Sequence, residues 1–145
     1  MTTEEGNMLI ADFMQESYWI ADVKEWGHYH LDAKTYEEGV TEYDGFKTQF
    51  PPHECDNVEI KKVYEGSYNY LWDDLMAVVE KIENKKDKYR GDFKVCICGM
   101  GCTIQRMGFH PYTEQYLQTA LGETKIEAVW TAVVEFIKWY NANIK

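Results

Sequence analysis

The chain has 145 residues, 45% of them hydrophobic and 28% charged, and carries a formal net charge of −10. That length and apolar content are enough for one domain with a buried core, and an aromatic share of 15% excludes a disordered chain. The negative charge disfavours a direct grip on nucleic-acid phosphates, which needs Lys and Arg to displace counterions, and it disfavours docking on anionic lipid.

The charge is unevenly spread. Residues 1–66 hold 15 Asp/Glu against 5 Lys/Arg, whereas residues 67–145 hold 10 of each. An acidic half suits a basic partner, including a protein surface that normally holds nucleic acid. The segment Met1–Glu5 is polar and acidic, so no secretory leader is expected, and no run approaches the roughly 18 apolar residues of a membrane span. The four cysteines then read as free thiols in a reducing cytoplasm.

In chain order, the first predicted element is a helix over Glu4–Gln15. Thr2 and Glu5 offer a capping box, and Leu9, Ile10, Phe13 and Met14 form its buried side. Trp19–Val23 is a candidate strand. The stretch from Ala33 to Asn57 is read as irregular: Gly39, Gly45 and Pro51-Pro52 interrupt it, Tyr36, Tyr43, Phe46 and Phe50 are spread through it, and it carries Glu37, Glu38, Glu42, Asp44, Glu54 and Asp56. Val58–Tyr64 alternates as a strand does. A second helix is predicted over Tyr70–Asn84, capped by Asn69 or Ser67, with Leu71, Trp72, Leu75, Met76, Val79 and Ile82 as its apolar stripe. Phe93–Cys98 and Cys102–Met107 read as a hairpin around Gly99-Met100-Gly101. The last helix starts at a Thr124/Glu127 capping box. Ile126, Val129, Trp130, Val133, Ile137 and Tyr140 form its stripe, widened by Ala128, Ala132, Val134 and Phe136, so more than one side is buried. Trp130, Val133 and Ile137 are expected to pack against Leu75, Met76 and Val79.

Three of these segments carry a resemblance. Asn7–Met14, the run from Tyr70 to Glu83, and the run from Lys125 to Asn141 together resemble a group of small proteins common in tailed phages and prophages, notably phages of Bacteroidota. In that group the middle helix reads closer to S-W-D-W-L-M-P-V-V-E-K-I. Here Asn69, Tyr70, Leu71, Trp72, Asp73, Asp74, Leu75, Met76 and Ala77 stand in that region, so the first Trp and the Pro are replaced. The group has no established activity. The resemblance implies phage origin and carries over no catalytic residue; with the reducing compartment read from the cysteines, the expected location is the host cytoplasm.

The one local set that resembles a metal site is Cys96, Cys98 and Cys102, with His53, Cys55, His28 and His30 elsewhere. A three-residue loop at Gly99–Gly101 would pair Cys98 with Cys102 and put the three thiols on one face. A two-residue loop at Met100-Gly101 would pair Gly99 with Cys102, unite Phe93, Val95, Ile97, Cys102 and Ile104 as an apolar face, and turn Cys96 and Cys98 away. The second register gives the continuous apolar face and is preferred, so no metal and no cofactor is expected, and the cysteines are read as packing residues. His28-Tyr29-His30 is read as a polar strand edge. Adjacent acids such as Glu37/Glu38 and Asp73/Asp74 are read as solvated.

These readings predict a single α+β domain over 1–145: three helices on one face of a small, mainly antiparallel sheet, with an acidic, aromatic-rich irregular region. Residues 1–66 are the acidic half and 67–145 the scaffold. The expected function is non-enzymatic: a phage accessory protein that binds a host protein with a basic surface through Asp32, Glu37, Glu38, Glu42, Tyr43 and Asp44. Its extreme form inhibits a host defence or nucleic-acid-binding protein. The alternative is capture of a small molecule such as a nucleotide signal in a Tyr/Trp-lined pocket, for which Lys24, Lys34 and Lys47 are the few cations in the acidic half.

Overall fold

The computed structural model describes residues 2–23, 27–49, 58–85, 92–107 and 114–143, apart from the side chains at 23, 45–49, 92, 107 and 114–119. In chain order the elements are α1 (Thr3–Met14), β1 (Tyr18–Val23), β2 (Gly27–Leu31), α2 (Tyr36–Gln49), β3 (Val58–Val63), α3 (Trp72–Glu83), β4 (Asp92–Cys98), β5 (Gly101–Met107), β6 (Glu114–Leu121) and α4 (Lys125–Asn143). The class is α+β, with two antiparallel three-stranded sheets in place of the single sheet expected, and a fourth helix, α2, where an irregular stretch was expected. The chain forms two compact units: residues 16–65, and residues 1–15 together with 66–145. The helix α1 belongs to the larger of these units.

In the larger unit β4, β5 and β6 form a meander, and α3 and α4 pack on it, α3 against β4 and α4 against β5 and β6. The hairpin turns at Gly99-Met100, because Gly99 takes φ +59°, a conformation that costs glycine little. Cys98 therefore pairs with Gly101 and Ile97 with Cys102, one pair away from the predicted register. A slip of this kind leaves each side chain on the face assigned to it. Phe93, Cys102 and Ile104 are buried with α4's Val129, Val133, Phe136 and Ile137 and α3's Leu75, Val78 and Ile82. The Phe93 ring meets Phe136 edge-on at 5.0 Å.

α1 closes this core. Its capping box is present, Glu5 N donating to Thr2 Oγ1 and Thr2 N to Glu5 Oε2, and it ends at Gln15 in a left-handed conformation. Trp130 differs from expectation: its ring lies on α1 at Gly6, so close that a Cβ there would fall 2.3 Å from Cζ2. A hydrogen-bond chain fixes the contact. Trp130 Nε1 donates to Asn7 Oδ1 (2.8 Å), and Asn7 Nδ2 donates to Asn69 Oδ1 (2.9 Å). Asn69 is thereby occupied, and α3 has Leu71 as its N-cap, with no side-chain cap hydrogen bond, instead of Asn69 or Ser67. At the other end Lys81 Nζ donates to Phe13 O and lies over the Phe13 ring, which meets Tyr140 edge-on.

In the smaller unit β1 is central, flanked by β2 and β3, and α2 packs on one face. Ala21, Leu31 and Tyr43 are its buried core, joined by Trp19, Tyr29, Ala33, Val58 and Ile60. Gly39, expected to break the chain, sits inside α2. A Cβ there would meet Ile60 Cγ2 at 3.0 Å and Leu31 Cδ1 at 3.4 Å, so glycine lets the helix settle close to the sheet. Among the described residues no helix is long and apolar enough to cross a membrane.

Candidate functional site

Five of the acidic unit's carboxylates lie on or beside α2. Residues 16–65 hold 12 Asp/Glu against 5 Lys, a net of −7. At about 100° per residue, Glu37 and Asp44 fall on one flank of α2 and Glu38 and Glu42 on the other, about 130° around the helix, with the row of Gly39 and Tyr43 facing the sheet between them. All four carboxylates are exposed, and so is Asp32, just past the end of β2.

Part of this surface is built into the local fold. Glu38 N donates to Thr35 Oγ1 (3.2 Å), and Glu38 Oε2 accepts from Lys34 N (2.9 Å), a variant of the capping box. Glu42 Oε1 accepts from Asp32 N at 3.1 Å, tying the loop after β2 to the helix. Glu37 and Glu38 lie in the first turn, where negative charge is favoured by the helix dipole. Asp32, Glu37, Glu38, Glu42 and Asp44 are thus gathered about one helix. Tyr43, assigned to the same surface, is instead 6% exposed and part of the unit's core, because it falls on the row of α2 that faces the sheet.

Other polar groups belong to other elements. His28 and His30 are exposed on the outer strand β2, where His30 stacks on Tyr18 with ring centroids 4.6 Å apart. Tyr18 Oη donates to Glu65 Oε1 at 3.0 Å, and this bond holds the phenol above its ordinary pKa. Asp22 and Lys61 form an ion pair at 3.1 Å between exposed side chains. Asp74 accepts from Ser67 N, whereas Asp73 is exposed.

The cysteines divide as the faces of β4 and β5 dictate. Cys98 is exposed, Cys96 half-buried and Cys102 buried. Desolvation, with a smaller contribution from Cys96, pushes the Cys102 thiol up to about 11. Among the described residues no group of three or more His, Cys, Asp or Glu is placed to hold a metal ion. His53 and Cys55, together with Glu54 and Asp56, lie outside the described residues.

Compared with known protein families, with curated proteins and with solved structures, the chain finds no match in any of the three.

Proposed function

We propose that this chain is a non-enzymatic accessory protein of phage origin that acts in the host cytoplasm. It binds a basic surface of a host protein through the exposed carboxylates around α2. In its extreme form it occupies a surface that otherwise holds nucleic acid. The observation that supports this reading most is the placement of Asp32, Glu37, Glu38, Glu42 and Asp44 about one helix of a unit whose net charge is −7. A patch of one sign raises the encounter rate with an oppositely charged partner and repels nucleic acid and anionic lipid. Hydrogen bonds from Lys34 N and Asp32 N hold Glu38 and Glu42 in place, so part of the pattern is ordered before binding.

The test is capture of a host protein by tagged wild type, by a variant neutralised on this face (Asp32→Asn, Glu37→Gln, Glu42→Gln, Asp44→Asn), and by a variant losing the same charge elsewhere (Glu4→Gln, Glu123→Gln, Glu127→Gln, Glu135→Gln). Wild type and the second variant should retain the same protein, released by raised salt, and the first should lose it. Equal retention by both variants would show that the α2 face is not the binding surface.

A further inference from the structure

The start of α3 exposes apolar surface that is separate from the acidic residues of α2, although the Tyr70 hydroxyl is hydrogen-bonded by Ser67 Oγ. Tyr70, Leu71 and Trp72 are consecutive and are 64%, 46% and 39% exposed. Leu71 occupies the N-cap of α3 and makes no side-chain cap hydrogen bond. That position favours Ser, Thr, Asp or Asn, whose side chain takes an otherwise open amide, so a half-exposed leucine there forgoes a cap. A run of exposed Tyr, Leu and Trp is also the composition from which binding anchors are drawn. The apolar surface continues along the helix. Met76 lies one turn beyond Trp72, and the exposed Ala77 lies one turn beyond Asp73. Exposed Asp73 and Glu80 border it, as does Glu83, whose carboxylate also accepts from Val95 N at 3.3 Å, and the strip from Trp72 to Glu83 is about 17 Å long, roughly three helical turns.

We infer that this strip is a docking surface for a basic amphipathic helix of a partner protein. Apolar residues of that helix would cover Leu71, Trp72 and Met76, and its flanking Lys and Arg would face Asp73, Glu80 and Glu83. The charges choose the occupant. A second copy of this chain would bring the same acidic border against itself, whereas a basic helix satisfies both the apolar and the acidic parts. The inference does not rest on the α2 reading, since the residues are different and belong to the other compact unit.

The experiment titrates the whole protein with a synthetic amphipathic Leu/Lys helix and, as a control, with the same helix carrying Glu for Lys, by calorimetry. The variants are Leu71→Ser, Trp72→Ser, Asp73→Asn and the α2 variant Glu37→Gln/Asp44→Asn, each also melted. The Lys helix should bind and the Glu helix should not. Leu71→Ser and Trp72→Ser should each weaken binding at least about tenfold, as hot-spot residues do. Asp73→Asn should weaken it less and reduce its salt dependence. Leu71→Ser should at the same time melt at or above the wild type, because serine supplies the missing cap; a merely structural leucine would lower stability and binding together. Absence of binding would overturn the proposal. So would binding that persists in Leu71→Ser and Trp72→Ser but is lost in the α2 variant, or a wild-type dimer dispersed by Leu71→Ser.

Discussion

The two units differ in what their surfaces and interiors are made of. The larger unit, residues 1–15 and 66–145, has 13 Asp/Glu against 10 Lys/Arg and a continuous core running through Leu75, Val78, Ile82, Phe93, Ile104, Val133 and Phe136. The smaller unit has a net charge of −7 and, among the described residues, a central cluster with Ala21, Leu31 and Tyr43 buried. Burial of apolar area is the main favourable term in folding, whereas exposed charge contributes little to it. The comparison therefore assigns stability to the interior of the larger unit and presentation of charge to the surface of α2.

The largest expected effect lies in the larger unit. Phe136 is fully buried and its ring meets Phe93, Trp139 and Tyr140. Phe136→Ala should cost about 3–5 kcal/mol in denaturant unfolding, the usual range for emptying a buried aromatic site. A loss below 1 kcal/mol would remove the core's assigned role. Gly6→Ala should come next. A Cβ would stand 2.3 Å and 2.6 Å from two atoms of the Trp130 ring, which its bond to Asn7 holds in place. The overpacking cost of about 1–3 kcal/mol should outweigh the gain of up to about 1 kcal/mol in helix propensity. A variant at least as stable as the wild type would show that the ring can move aside.

A smaller effect belongs to Cys102. Its thiol is raised from 9.0 to about 11 in the folded chain, so it stays protonated where an unfolded chain's thiol ionises. Its contribution to stability is therefore complete below pH 9.0 and is lost as pH rises through about 11. Cys102→Ala should flatten the decline of unfolding free energy across that window, and a thiol reagent should label exposed Cys98 well before Cys102 in the native protein. An unchanged slope, or labelling in the reverse order, would contradict the assigned burial.

The same contrast decided what could be read from the sequence. α1, α3 and α4 were legible because wide aliphatic stripes and two Thr-x-x-Glu boxes marked them. β1 and β3 followed from β-prone runs, and β2 is the polar edge that His28-Tyr29-His30 suggested. α2 was missed although Tyr36, Val40 and Tyr43 recur at helical spacing and Thr35 stands three residues before Glu38. Its glycines and acids hid the stripe, and Gly39 is a packing residue, not a break. β6 gave no signal that was used. Trp130 was placed in the packed stripe, but its ring is held on α1 by its hydrogen bond to Asn7, a residue 123 positions away, which no local pattern encodes. Of the candidate site, the acids were legible as a cluster. Tyr43 was misplaced because assigning its face required knowing that the segment is helical.

The claim that the charges of Asp32, Glu37, Glu42 and Asp44 are presented to solvent and do not hold the fold is tested most directly by melting Asp32→Asn/Glu37→Gln/Glu42→Gln/Asp44→Asn beside the wild type at low and raised salt. The amide at Glu42 keeps an acceptor for Asp32 N, and loss of like charges relieves repulsion around one helix. The variant should therefore melt no lower than the wild type at low salt, with any gain shrinking as salt is raised. A drop approaching that of Phe136→Ala would make the acidic surface a structural element and contradict the division drawn between the two units.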